Sequence, residues 1–462
     1  MTGTEAVTAM PLNAEIDEAY AIAERDYIER NPGSRRAFES AKASLPGGNS
    51  RSTVHFSPFP LCLGSGRGGS VTDVDGRTYT DFVNEHTAAV FGHSNKTIAE
   101  AISRAVASGF VLGGPCLAEQ ELAGLLTRRF PAVEKVRFCN SGTEANILAI
   151  GTAMAFTRRP AVMVFEGGYH GSVLQFSAGA GRLNVPFEVV RASYNDGDDA
   201  LRSFRDHGGR LAAVIVEPMQ GGAGAIAGDR EFLALLAAEC AKHGALLIFD
   251  EVMTSRLAPR GLHGQLGLKP DLVTLGKYIG GGLALGAFGG REDVMRQFDP
   301  AAPDAIFHGG TFNNNVLAMT AGAAALGEVM TDSAVRTMNG LGDRFRDQAN
   351  AFVREGDLPV QITGVGSIFG LHFTRGAIRN ASDLRVRPAA AQSVAKLKAL
   401  FQLDMLERGF YVTRRILGNL SLETSGEDMS RFLEVLKEFL LLRGSLIRKV
   451  AQAACPGGHD EP

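Results

Sequence analysis

Cysteine is scarce in this 462-residue chain: Cys62, Cys116, Cys139, Cys240 and Cys455 are odd in number, widely spaced and without a CxxC pair. That excludes a disulfide framework. The ten histidines show no HxxxH or HExxH spacing, so there is no zinc pattern and no metal is expected. An excess of charge of one sign is missing too: 47 Lys and Arg stand against 50 Asp and Glu, a net of -3. This gives no electrostatic case for nucleic acid or an anionic membrane as a partner. No apolar run reaches the roughly 18 residues that a membrane span needs. The N-terminus carries Glu5, Glu15, Asp17 and Glu18 where a signal peptide would have a basic stretch. The expected setting is a reducing cytoplasm, with no membrane.

What the chain does have is an ordinary globular composition, 45% hydrophobic and 21% charged, and a length beyond the roughly 250–300 residues of a single core. Glycine is in excess, 56 residues or about 12% against a usual ~7%. Residues from about 12 to 45 read as one or two helices ending at Pro46, Gly47 and Gly48. A hairpin follows over 71–79, turned at Asp75 and Gly76. Between about 85 and 330, apolar strands at 136–139, 161–165, 187–191, 212–216, 245–249 and 272–275 alternate with glycine-containing loops and helices. That pattern predicts an α/β fold with a mostly parallel sheet covered on both faces. Beyond about 335, a helix over 336–354, strands around 361–373 and 410–422, and a last helix over 428–452 predict a smaller α/β domain. The expected division is an N-terminal segment 1–84, a large domain 85–334 and a small domain 335–462, with a frayed tail after Ala454.

Ligands of open α/β sheets bind beyond the carboxyl ends of the strands. The residues there are Asn-Ser-Gly-Thr-Glu-Ala-Asn at 140–146, Glu-Gly-Gly-Tyr-His-Gly at 166–171, Glu217 with Pro218, Asp250 with Glu251, and Gly276 with Lys277. Each has a plain structural reading. Ser141 can be a helix N-cap, Asp250 a cap or ion-pair partner, and a lone lysine is usually solvated. Lys277, however, is the only charge between Asp271 and Arg291, so its amine should be depressed in pKa and nucleophilic. A helix start with free N–H groups at Ser141, Gly142 and Thr143 can hold a phosphate. Asp250 can keep a heterocyclic nitrogen protonated, and Tyr169 can stack on the ring. Lysine, carboxylate and phosphate cup together match the needs of pyridoxal phosphate. The Gly64, Gly66, Gly69 spacing also fits a dinucleotide fingerprint, but a hairpin follows it instead of a helix, so it reads as a turn.

The chain resembles the fold-type I, class III pyridoxal-phosphate aminotransferases, in the branch that holds glutamate-1-semialdehyde aminomutase and the β-amino-acid (β-phenylalanine) aminotransferases. The likeness runs from about 31 to 442, through Asn-Ser-Gly-Thr-Glu-Ala-Asn at 140–146, Gly-Tyr-His-Gly at 168–171, Val-Glu-Pro-Met at 216–219, Phe-Asp-Glu-Val-Met-Thr at 249–254, Leu-Gly-Lys at 275–277 and Gly-Thr-Phe-Asn-Asn-Asn at 310–315. The resemblance implies that Lys277 carries the cofactor and shuttles a proton, that Asp250 pairs with the ring nitrogen, and that Val252 covers the ring face opposite Tyr169. It also implies that Ser141, Gly142 and Thr143 bind phosphate, with His170 and Glu217 part of the cofactor site. Thr311 would reach the phosphate of the neighbouring subunit, so a homodimer with shared sites is implied. The segment Pro-Gly-Gly-Asn-Ser-Arg-Ser at 46–52 resembles that of the β-amino-acid enzymes, in which the arginine, here Arg51, receives a substrate carboxylate. Arg415 falls where those enzymes carry a second, mobile arginine for the carboxylate of the acceptor, although Arg414 beside it departs from their pattern. The implied reaction is transfer of an amino group from a small-molecule donor, a β-amino acid, to a 2-oxo acid acceptor such as pyruvate or 2-oxoglutarate. The alternative is an aminomutase of the glutamate-1-semialdehyde type.

Overall fold

The computed structural model describes residues 12–177 and 179–454, so the tail expected to fray lies outside the described residues. Seven strands make the central sheet: β1 (Lys135–Cys139), β2 (Ala161–Phe165), β3 (Glu188–Ala192), β4 (Leu211–Val216), β5 (Leu246–Asp250), β6 (Leu272–Gly276) and β7 (Gly286–Gly290). Their spatial order is β1-β7-β6-β5-β4-β2-β3, and β7 alone runs antiparallel to both its neighbours. The alternation of side chains along the strands explains the continuous apolar runs. Val162, Val164, Ala213, Ile215 and Ile248 pack with Ala145, Ala149 and Ala153 of the helix Gly142–Thr157. Their neighbours Met163, Phe165, Val214, Val216 and Phe249 pack instead with Phe204 of the helix Gly197–His207 and with Phe232, Leu233 and Leu236 of the helix Arg230–His243. Both faces of the sheet are therefore covered, and every second residue serves a different core.

Six of the seven strands fall within a residue or so of their sequence-based positions. The unexpected one is β7, with three glycines in five residues, a composition of poor strand propensity. Crowding accounts for it: a Cβ on Gly286 would sit 2.2 Å from the carbonyl oxygen of Ser141, so only glycine lets this strand pass behind the Ser141 loop.

Around the sheet, the hairpin expected over 71–79 forms from Ser70–Asp73 and Thr78–Asp81, and Leu63–Arg67 pairs with its first strand. Gly68 and Gly69 thus lie at a turn between two antiparallel strands, in keeping with the turn reading of that glycine cluster. The short strand Phe410–Tyr411 adds to the same sheet, parallel to Thr78–Asp81, so the N-terminal and C-terminal regions share a sheet. The second half of the 410–422 stretch, Leu417–Asn419, joins a different sheet with Gln361–Val365 and Ile368–His372. The single last helix expected over 428–452 is two helices, Gly426–Leu442 and Gly444–Ala454, divided at Arg443.

Candidate active site

The carboxyl ends of β1, β2, β4, β5 and β6 bring together most of the residues singled out in the sequence. At the centre is Asp250, buried at the end of β5. Its Oδ2 accepts from the His170 Nδ1 at 2.8 Å and from the Asn146 Nδ2 at 2.8 Å, and its Oδ1 accepts from the Val252 N–H at 3.0 Å. Asn146 also donates to the His170 carbonyl at 3.0 Å and accepts from the Thr274 hydroxyl at 2.6 Å. One amide side chain on the helix Gly142–Thr157 therefore ties the ends of β2, β5 and β6 to a single carboxylate. Burial alone would lower the His170 pKa, but the hydrogen bond and charge of Asp250, with the charge of Glu217, outweigh it and raise it. Glu217 is buried at the end of β4 and accepts from the Tyr169 and Gly221 N–H groups, each at 3.0 Å. Burial pushes its carboxyl up to about 7, against the His170 charge and with that of Asp250.

Ser141 caps the helix, its hydroxyl accepting from the Glu144 N–H at 3.1 Å. The N–H groups of Gly142 and Thr143 have no acceptor among the described residues, as a helix N-terminus requires. Val252 packs on Gly142 so tightly that a Cβ there would fall 2.7 Å from its Cγ1, and Thr143 lies against Gly171. The cradle fits a pyridine ring with a phosphate arm. Open N–H groups could take the phosphate, the buried Asp250 carboxylate could pair with the ring nitrogen, and Val252 and the 41%-exposed ring of Tyr169 could cover its faces.

Lys277 follows β6 with φ +56°, a left-handed backbone that lysine rarely adopts. Its Nζ donates to the His86 carbonyl at 2.5 Å. Burial lowers its pKa to about 8, opposed by the charges of Asp250 and Glu85 and assisted by those of Arg51 and Arg256. His86 belongs to a second left-handed stretch, four consecutive residues Asn84, Glu85, His86 and Thr87 with φ from +42° to +79°. Each such residue costs roughly 1–2 kcal/mol, so the turn needs support. Asp81 supplies some, accepting from the Val83 and Asn84 N–H groups at 2.7 and 2.9 Å. The Asn84 amide donates to the carbonyls of Asp81 and Asn419 at 2.8 and 2.7 Å, and the buried Arg256 donates to the Thr87 carbonyl at 3.2 Å. Strain held this firmly beside a reactive amine is typical of functional sites.

The remaining sequence candidates lie at the edges. Arg51 pairs with Glu85 across a broad cleft of about 860 Å³, near enough for its charge to reach Lys277. Arg415 is exposed and makes no hydrogen bond or ion pair among the described residues, whereas Arg414 donates to Gln402 and to the Ser57 carbonyl and lies over Phe56. Thr311 is exposed, on a loop tied to the Ser141 region by a 3.1 Å bond between Asn140 and Asn313. Asn146, Thr274, Glu85, His86 and Arg256 were not singled out from the sequence. Asn146 carried a usable signal, since it lies one turn from Ser141 on the helix that opens the cup. A contact through the His86 carbonyl has no sequence signal at all.

The family model for class-III aminotransferases matches residues 52–399. The chain belongs to the class-III aminotransferases, enzymes of the fold-type I architecture that use pyridoxal phosphate. It is 43% identical over 435 residues to the β-phenylalanine transaminase of Variovorax paradoxus, spanning 94% of this chain and 99% of that one. The crystal structure of the β-phenylalanine aminotransferase from Variovorax paradoxus superposes with a TM-score of 0.90, covering 93% of this chain and 99% of that chain. A glutamate-1-semialdehyde 2,1-aminomutase of Sorangium cellulosum is 37% identical, over 89% of this chain and 97% of its own.

Proposed function

We propose that this aminotransferase moves the amino group of a β-amino acid to a 2-oxo acid, as a cytoplasmic homodimer. The observation that carries the reading is that Arg51 pairs with Glu85, whose neighbour His86 accepts from the Lys277 amine, so that a substrate acid replacing Glu85 would lie beside that amine. The 43% identity to a β-phenylalanine transaminase supports the choice of donor.

Bound pyridoxal phosphate supplies the electron sink that acidifies the carbon bearing the donor's nitrogen. The chain supplies the rest. The Gly142 and Thr143 N–H groups and the Ser141 hydroxyl would hold the phosphate, and Asp250, fixed by His170 and Asn146, would keep the ring nitrogen protonated. Tyr169 and Val252 would cover the two faces of the ring. Lys277, with its pKa brought down to about 8, takes the proton from the donor carbon and returns it on the other side of the transfer. A guanidinium fork suits a carboxylate, so Arg51 orients the donor and the unpaired Arg415 meets the acceptor.

The dimer is supported by the surface. Phe307 is 93% exposed, Val111 and Leu117 84%, and Phe312 62%. Asn314 donates to the Gly114 carbonyl and to Glu119, so the two segments that carry these exposed apolar side chains lie together. Thr311 is exposed on the segment that carries Phe307 and Phe312, where it would meet a second subunit.

A donor screen tests the reading, with α-, β- and ω-amino acids and plain amines each offered with pyruvate and with 2-oxoglutarate. Arg51→Ala should lose carboxylate-bearing donors and keep plain amines; unchanged discrimination would sink the assignment. The 37% identity to an aminomutase favours one other outcome. Turnover of a single amino compound with no 2-oxo acid present would mark that activity.

A further inference from the structure

Arg256 stands in the short helical turn Thr254–Arg256 that follows β5, and it is fully buried. Among the described residues it has no carboxylate partner, and its Nε has no acceptor at all. Burial draws its pKa down to about 9, so it still carries its charge at neutral pH. A buried cation without a counter-charge weakens a fold, and an apolar side chain of similar volume would be less costly. Packing alone therefore gives no reason for an arginine here.

Its hydrogen bonds give one. Nη1 donates to the Thr87 carbonyl and to the Asn419 Oδ1, each at 3.2 Å, and Nη2 donates to the Leu420 carbonyl and the Met338 sulfur. Thr87 ends the left-handed turn 84–87, and Asn419 ends the C-terminal strand Leu417–Asn419. Asn419 also grips the start of that turn. Its Nδ2 donates to the Val83 carbonyl at 2.8 Å, and its own carbonyl accepts from the Asn84 Nδ2 at 2.7 Å. The guanidinium thus closes a ring of bonds, from Thr87 through Arg256 and Asn419 to Val83 and Asn84, around Glu85 and His86. Those two residues face the reaction: His86 gives its carbonyl to the Lys277 amine at 2.5 Å, and Glu85 pairs with Arg51.

We propose that Arg256 is a positioning residue for Lys277: it clasps the left-handed turn to the C-terminal strand, and so fixes the carbonyl that holds the amine whenever the amine is free. The proposal rests on the transaminase reading, in which each donor frees that amine. A planar fork meets the turn and the strand at once through its two ends, which the compact ammonium of a lysine does not match. The charge acts as well. Asp250 and Glu85 favour a protonated Lys277, Arg51 and Arg256 disfavour it, and the His86 ring is neutral, its pKa lowered to about 4 by burial.

Three variants separate this role from support of the fold. Arg256→Met removes clasp and charge, and Arg256→Lys keeps the charge and loses the fork. Asn350→Ala removes two hydrogen bonds to Ile362 elsewhere on the helix that carries Met338. Amide exchange of the full chain, read by mass spectrometry over residues 82–88, should quicken about tenfold in both Arg256 variants, as the loss of one or two hydrogen bonds dictates. It should not change in Asn350→Ala. Amine-directed labelling of Lys277 follows, in the chain loaded with pyridoxamine phosphate, which leaves the lysine free, and in the unloaded chain. Loss of the Arg256 charge favours the protonated amine, so labelling at neutral pH should fall about threefold in Arg256→Met, about half a pH unit in its midpoint. Arg256→Lys should restore it. Unchanged exchange in Arg256→Lys, unchanged labelling in Arg256→Met, or an equal response in Asn350→Ala would overturn the proposal. Where Arg256→Met does not fold, the exchange of Arg256→Lys decides. If the transaminase reading itself were wrong, pyridoxamine phosphate would not bind, while exchange and labelling of the unloaded chain would still report on Arg256.

Discussion

Replacing Asn146 by alanine examines the cradle with no cofactor present. The substitution removes a hydrogen bond to the Asp250 carboxylate, one to the His170 carbonyl, and the acceptor of the Thr274 hydroxyl. A bond to a charged group contributes about 1.5–3 kcal/mol and a neutral one about 0.5–1.5 kcal/mol. The Thr274 hydroxyl can recover part of its loss, since Asp250 Oδ1 is 3.5 Å away. The sum is about 3 kcal/mol. Unfolding entropy of about 2.1 cal/mol/K per residue, taken over 462 residues, comes to about 1 kcal/mol/K, so the midpoint should fall by about 3 °C. Differential scanning calorimetry of the apoprotein measures it. Thr274→Val, which removes only one of these bonds, should cost about a third as much. A midpoint for Asn146→Ala within 1 °C of the parent would show that the amide does not tie the strand ends together.

Other outcomes follow from the same geometry. Amine-directed labelling of the apoprotein should modify Lys277 with a midpoint near pH 8, the amine being protonated and inert below it and free above it; Arg51→Ala should move that midpoint upward, because the Arg51 charge depresses it. A midpoint at the ordinary lysine value of about 10.4 would contradict the burial argument. Gly286→Ala should displace β7 from the Ser141 loop, cost about 1–3 kcal/mol or more and weaken cofactor binding, read by equilibrium dialysis. Arg414→Ala should lower the thermal midpoint by removing two hydrogen bonds and a ring contact, whereas Arg415→Ala should leave it unchanged; equal effects would contradict the division of labour between them. Val111→Asp with Phe312→Asp should give a monomer by sedimentation, and an intact dimer would refute that patch as the interface.

Where apolar burial on both faces dictated the sequence, the fold could be read directly. The strands β2, β4, β5 and β6 are fully buried and announced themselves as short apolar runs. β7 was illegible because its sequence answers to a tight backbone approach and not to side-chain packing. The cradle was legible to the extent that it uses side chains at strand ends, as with Asp250, His170 and Lys277. The left-handed turn at 84–87 was not, because what it presents to Lys277 is a carbonyl, which every residue has. Arg256, fully buried without a carboxylate partner, is a further case: its acceptors are Thr87, Asn419, Leu420 and Met338, separated from it by 82 to 169 residues in the chain.

The central claim is that Lys277 carries pyridoxal phosphate and is released by an amino donor. Borohydride reduction of the loaded enzyme, followed by peptide mass spectrometry, reads this directly. The cofactor should be found on Lys277 alone, should be lost from that residue when β-phenylalanine is added before reduction, and should be absent from Lys277→Ala. Cofactor fixed to a different lysine, or to Lys277 undiminished by the donor, would contradict the account.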